Sequence, residues 1–165
     1  MSDLSQVKVI TFDIDGTLTD ATTWWAGGEV GWTQRYSVRD GEALLRMVKS
    51  GLALVPLSRN KTPAARRRME LLGRDLTWVG VSDKIVALAQ ICETFGVTPA
   101  QVLHIGDAPD DAVVFAEVGV GVAVADAHPA ALKAADVVLT ARGGERALEE
   151  LELRVADGQA QGAAR

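Results

Sequence analysis

The sequence predicts an α/β fold: a Rossmann-like three-layer α/β/α domain on a parallel sheet, with a small β-hairpin insertion. Three observations carry that expectation. Apolar runs of strand length alternate with segments of helical period, the pattern of a parallel sheet covered on both faces. Polar residues follow each apolar run directly, where open α/β sheets bind ligands. One tryptophan-rich stretch breaks the alternation.

Taken in order, strands are expected at 7–12 (VKVITF), 52–57 (LALVPL), 76–80 (LTWVG), 102–106 (VLHIG), 120–125 (VGVAVA) and 137–140 (VVLT). Helices are expected at about 40–50, 63–72, 109–118, 129–135 and 145–156. A further helix starts near Asp83, with Ser82 or Asp83 as its N-cap. In it Ile85, Leu88, Ala89, Cys92 and Phe95 are spaced to share one face, and Gly96 stops it. The exception is TTWWAGGEVGWTQRYSV, whose β-prone halves flank AGGE and read as a hairpin over about 21–38. Trp24, Trp25 and Trp32 fall within it. A two-stranded ribbon cannot bury both of its faces by itself, so the rings either pack on the chain's own core or meet other subunits.

The 165 residues suit a single domain over 1–157, with a frayed tail at 158–165 of small and polar residues. The lone cysteine, Cys92, has no second thiol to pair with, which favours a reducing, cytoplasmic compartment. The N-terminal run VKVITF is too short for a signal segment or a membrane span, and the chain is read as soluble with no membrane partner. A net charge of -5 argues against broad nucleic-acid binding and suits an enzyme of small metabolites.

The strand ends hold the chemistry. FDIDGTLTD puts Asp13 and Asp15 two residues apart where the first strand ends, so both can project into one site. Ser58 and Arg59 close the second strand, and the Ser58 hydroxyl can donate to a phosphate oxygen. Lys84 enters the first turn of a helix, where a cation opposes the helix dipole and a bound anion would justify it. HIGDAPDD supplies Asp107 at a strand end, followed by Asp110 and Asp111, and an acidic first turn needs no functional role for Asp110. Together these are the parts of a phosphoryl-transfer site. Asp13 would attack phosphorus, and Asp15 would protonate the leaving alkoxide and later deprotonate water. Mg²⁺ on Asp13 and Asp107 would screen the repulsion between carboxylate and phosphate, Lys84 would neutralise phosphoryl charge, and Ser58 would orient it.

DIDGT, Ser58, Lys84 and GDAPDD, in that order on successive strand ends, resemble the four motifs of the haloacid dehalogenase superfamily of phosphatases. The resemblance implies a Mg²⁺-dependent phosphoric monoester hydrolase. It adds the backbone carbonyl of Asp15 as a metal ligand and Asp111 as support behind the metal ligands. The first gap holds only the hairpin, and the 26 residues from Ser58 to Lys84 are used by one helix and one strand, so there is no cap. The site is then open to large substrates or closed by a neighbouring subunit. The hairpin, YSVRDGEALLRM, ARRRMELLG and LTARGGERALEEL are similar to the capless branch that includes 3-deoxy-D-manno-octulosonate 8-phosphate phosphatase and enzymes of phosphorylated nine-carbon sialic acids. That branch implies a homotetramer built through the hairpins, a sugar-phosphate substrate bearing a carboxylate, and Arg68 as a substrate contact. The other reading of Arg66, Arg67 and Arg68 is a solvated helix face.

The chain departs from the branch in three places. Ala108 stands where a second aspartate is usual, Leu57-Ser58-Arg59 replaces Thr-Gly-Arg, and Glu149 replaces a tail arginine beyond Gly143 and Gly144. Two alternatives remain. One is a catalytically weakened scaffold or partner subunit of the same fold. The other is a receiver-type signalling domain, against which Asp15 and the first-strand position of the acidic pair both count.

Overall fold

The computed structural model describes residues 4–163. Five parallel strands form the sheet: β1 (Val9–Phe12), β4 (Ala53–Pro56), β5 (Val102–Gly106), β6 (Val120–Ala123) and β7 (Val137–Val138), in the order β4-β1-β5-β6-β7. The chain crosses from β1 to β4 on one side and then back past β1 to β5 on the other. The strand order therefore reverses between β1 and β5, where Val9 pairs with both Ala53 and Val102. A crevice at the carboxyl ends of these two strands is the expected ligand position.

Every residue of β1 and β5 is buried, as their near-continuous apolar runs require of strands covered on both faces. On one face Ile10 and Phe12 pack with Ala43, Leu44 and Met47 of α1 (Val38–Lys49) and with Leu148, Leu151 and Val155 of α6 (Ala147–Ala163). On the other, Val9, Val55 and Val102 pack with Ala87, Leu88 and Ile91 of α3 (Lys84–Phe95). The remaining helices are α2 (Pro63–Leu71), α4 (Pro109–Phe115) and α5 (Pro129–Ala134), each opened by a proline in its first turn. No helix among the described residues is long and apolar enough to cross a membrane.

Several expectations are corrected. The segment 76–80 is not a strand, and only Val79 bridges Ser58. Asp75 turns the chain by accepting from the Thr77 backbone and hydroxyl, and Gly80 has φ +92°, so a turn occupies most of the run. The buried face of α3 carries Lys84, Ala87, Leu88 and Ile91, while Ala89 and Phe95 are exposed. Asp83 caps this helix, accepting from the Ile85 and Val86 amides, and Gly96 ends it at φ 62°. Of the tail expected to fray over 158–165, residues 158–163 are instead helical, because Gly158 and Gly162 leave room for Leu4 and Ser5 to lie against the helix, and 164–165 lie outside the described residues.

The hairpin joins β2 (Trp24–Trp25) to β3 (Trp32–Thr33), with Trp25 and Trp32 edge to face at 5.6 Å. Packing on the chain's own core is overturned: Trp24, Trp25 and Trp32 are 46%, 57% and 59% exposed.

Candidate active site

Asp13 leaves β1 held on both oxygens. Its Oδ1 accepts from the Ile14 amide at 2.7 Å and its Oδ2 from Lys84 Nζ at 2.9 Å. The next residues fold into a tight loop that brings Asp15 to the same side, and Gly16 follows at φ 78°. A Cβ on Gly16 would stand 2.1 Å from Asp107 Oδ2, so only glycine lets this loop lie against the end of β5. Gly143 braces the loop from behind, where a Cβ would stand 1.8 Å from the Gly16 carbonyl oxygen.

Lys84 explains its own odd position on α3. The ammonium is almost wholly buried and lies 2.9 Å from Asp13, 2.5 Å from Asp111 and 3.2 Å from Asp110. Burial pulls it downward, but Asp13 and Asp111 outweigh that and the net direction is upward, so it stays charged. Asp110 thus faces the site, which its place in a helical first turn did not require.

Asp111 is held on every side. Its Oδ1 accepts from Lys84 and from His104 Nε2 at 2.8 Å, and its Oδ2 accepts from the Asp107 and Ala108 amides at 3.0 and 2.9 Å. Burial pushes Asp111 up, yet these donors win and hold it well below the usual carboxylate range. With its lone pairs taken, Asp111 orients Lys84 and the Asp107 backbone instead of offering an oxygen to an ion. The bond to Ala108 uses only its amide, so the missing second aspartate costs nothing there.

Asp107 is in the opposite condition. Its Oδ1 is buried with no hydrogen-bond partner among the described residues, and burial, then Asp13 and Asp111, push it up to about 7. Burial likewise pushes Asp13 up, against the pull of Lys84. Carboxylate oxygens of Asp13, Asp107 and Asp111 lie within 4.8 Å of one another. Like charges crowded this way, with an orphaned oxygen among them, fit a hard divalent cation at Asp13 and Asp107.

Asp13, Asp15, Ser58, Arg59, Asn60 and Asp107 line one open cleft of about 440 Å³. Lys84 and Asp111 lie beneath it. Arg68 stands back from this lining: its guanidinium sits 5.6 Å from the centre of the Tyr36 ring, while Arg66 and Arg67 are exposed. Glu149 is paired with Arg146 at 2.5 Å and Arg39 at 3.8 Å.

Four further residues complete the site. Asn60 donates to both Asp15 oxygens at 2.8 and 2.9 Å, Gln34 donates to Asp15 Oδ1, and Tyr36 donates to Gln34 Oε1 at 3.0 Å. Burial, with Asp15 nearby, pushes the Tyr36 phenol to about 12, so it remains a donor. Amide side chains in loops carry no periodic signal. His104 did leave one: it is the lone polar residue of β5, wholly buried between Thr11 Oγ1 at 2.9 Å and Asp111. Since the ionised Asp111 only accepts, His104 Nε2 carries the proton.

A family model described as haloacid dehalogenase-like hydrolase matches residues 75–142. The 3-deoxy-D-manno-octulosonate 8-phosphate phosphatase KdsC of Haemophilus influenzae is 34% identical over 149 residues, 90% of this chain and 82% of that protein. Its Yersinia pestis counterpart is 31% identical over 147 residues, 89% of this chain and 78% of that one. Among solved structures, the Moraxella catarrhalis phosphatase of the same name, in complex with magnesium ion, phosphate ion and KDO, is similar with a TM-score of 0.89. It is 25% identical, and the match covers 98% of this chain and 92% of that one.

Proposed function

The chain belongs to the haloacid dehalogenase-like hydrolases, and we propose that within them it is a Mg²⁺-dependent phosphatase of an acidic sugar phosphate of the octulosonate or nonulosonate type, working through a phosphorylated Asp13. The observation that carries this reading is the junction of β1 and β5. There a buried Asp13 is ion-paired to Lys84, beside an Asp107 whose inner oxygen has no partner. The names of the relatives support the substrate class, and the magnesium, phosphate and KDO in the Moraxella structure support the metal and the acidic sugar.

In this reading Asp13, fixed by Ile14 and Lys84, attacks phosphorus and takes the phosphoryl group. Asp15 gives its proton to the leaving alkoxide, then takes one from the water that cleaves the aspartyl phosphate. Ser58 orients a phosphoryl oxygen from the cleft wall, and Lys84 balances charge on the phosphoryl group from beneath. A Mg²⁺ held by the Asp13 and Asp107 carboxylates and the Asp15 carbonyl would supply the screening that lets an anionic ester approach an anionic nucleophile. Asp111 keeps Lys84 and Asp107 in register. Arg59, at the cleft mouth, is the cation available to the substrate's carboxylate, and Arg68 supports the site through Tyr36 and Gln34.

The exposed tryptophans support a homotetramer built through the hairpins, since an apolar ribbon of this kind is stable when another copy covers it. The unpaired Cys92 supports a reducing, cytoplasmic setting. The test is phosphate release from a panel of octulosonate and nonulosonate phosphates, with and without Mg²⁺, beside Asp13→Asn. Magnesium-dependent release that Asp13→Asn abolishes is expected. Equal release by the variant would overturn the mechanism, and an inert wild-type chain would favour the scaffold reading.

A further inference from the structure

The Asp15 carboxylate does not hang free in the cleft. Gln34, 8% exposed and one residue beyond β3, donates to Asp15 Oδ1 from the hairpin side. Asn60, two residues after Ser58, donates to both oxygens from the opposite side, at 2.8 and 2.9 Å. Each amide is itself fixed. The Asn60 oxygen accepts from the Thr62 amide at 2.8 Å, so its nitrogen must face Asp15. The Gln34 oxygen accepts from the Tyr36 hydroxyl at 3.0 Å and from Asn60 Nδ2 at 3.3 Å, so its nitrogen must face Asp15 too. Tyr36 in turn lies under the Arg68 guanidinium.

We infer that Gln34 and Asn60 are positioning residues that clamp the Asp15 carboxylate between the hairpin and the loop after β4, setting how well it delivers a proton to the leaving group. The inference rests on the role given to Asp15 above. A carboxamide neither gains nor loses a proton near neutral pH, and because Asn60 is the one donor to Oδ2 among the described residues, that oxygen keeps a lone pair for the proton Asp15 moves. A carboxylate free to rotate would spend most of its time pointing away from the ester oxygen, and an ångström of misplacement is costly in proton transfer. The clamp also joins two otherwise separate segments, which makes the seat of the exposed hairpin part of the catalytic geometry.

The leaving group distinguishes a proton-delivery defect from a general loss of structure. Glycerol 2-phosphate expels an alkoxide and depends on the acid. p-Nitrophenyl phosphate expels a stable phenolate and depends on it little. The experiment measures kcat/KM for both esters with Mg²⁺ in wild type, Gln34→Leu, Asn60→Ala and, as the reference for a lost acid, Asp15→Asn. General acid catalysis contributes about 10²- to 10⁴-fold. A loosened acid should therefore lower the glycerol 2-phosphate value roughly 10- to 100-fold. The ratio of that value to the p-nitrophenyl phosphate value should fall about tenfold in each clamp variant, in the direction set by Asp15→Asn. Equal losses on both esters, or no loss on either, would overturn the clamp while leaving the phosphatase intact. Two variants guard against one that fails to fold, because Asn60 lies on a partly exposed loop. If Asp15→Asn itself shows no leaving-group dependence, the role of Asp15 falls and the clamp with it. A wild-type chain inert towards both esters would sink the phosphatase reading as well.

Discussion

Replacing Asp107 with asparagine should stabilise the metal-free protein above neutral pH, although it removes a metal ligand. The Asp107 carboxyl rises from its ordinary 3.8 to about 7, because it is partly buried and lies beside Asp13 and Asp111. Below about pH 4 the group is protonated in both folded and unfolded chains and contributes nothing. As pH climbs towards 7 the unfolded chain ionises and the folded one resists, so folding loses stability, and the loss levels off above about 7. At about 1.36 kcal/mol per pH unit the full effect is roughly 4 kcal/mol. Asp107 is partly exposed, so solvent screening reduces this to about 2 kcal/mol. For a chain of this length that is about 4–8 °C in Tm. The assay is thermal unfolding with chelator across about pH 5 to 8.5, repeated with excess Mg²⁺. Asp107→Asn should melt higher than wild type at the alkaline end, and the gap should narrow as pH falls. Mg²⁺ should raise the wild-type Tm and leave the variant nearly unmoved. A variant less stable than wild type in chelator at high pH, or one stabilised equally by Mg²⁺, would refute the idea of a carboxylate cluster awaiting a cation.

Other outcomes follow from single contacts. Asp40, wholly buried on α1, caps α6 by accepting from the amides of Arg146, Leu148 and Glu149 at 3.1, 3.0 and 3.2 Å. Asp40→Ala should cost about 2–4 kcal/mol and Asp40→Asn about half that, read by denaturant unfolding. Gly143→Ala would drive a methyl group into the Gly16 carbonyl, so it should cost about 2–4 kcal/mol and weaken Mg²⁺ activation by displacing the Asp15 loop. Replacing Trp24, Trp25 and Trp32 together with serine should dissociate the proposed homotetramer, as read by light scattering. It should change protomer unfolding by less than about 1 kcal/mol, because none of the rings lies in the core.

The parts of the molecule that could be read from the sequence are those where burial leaves a long pattern. β1 and β5 are buried on both faces, so their residues are apolar apart from Thr11 and His104, and Asp13 and Asp107 are marked by standing where those runs stop. Lys84 was visible as a cation at the wrong end of a helix, and the structure shows Asp13, Asp110 and Asp111 around its ammonium. The same lysine accounts for the buried face of α3 departing from its apolar spacing: a charged side chain that must be buried turns its own face inward, which an apolar count does not register. The segment 76–80 looked like a strand because Leu76, Trp78 and Val79 do contribute to the core, but Asp75 and Gly80 set a turn that composition alone did not reveal. Gln34 and Asn60 reach Asp15 from two separate loops, at positions fixed only once the hairpin and the loop after β4 meet over it.

The central claim is a transient bond between the Asp13 carboxylate and phosphorus, and it can be read directly. Wild-type protein with Mg²⁺ is mixed with a turning-over phosphate ester, quenched with borohydride so that an acyl phosphate is reduced to the alcohol, digested and sequenced by mass spectrometry. Homoserine at position 13, absent without ester and absent in Asp13→Asn, is the expected result. Homoserine at Asp15 or Asp107, or turnover with no reduced aspartate at any time point, would contradict it.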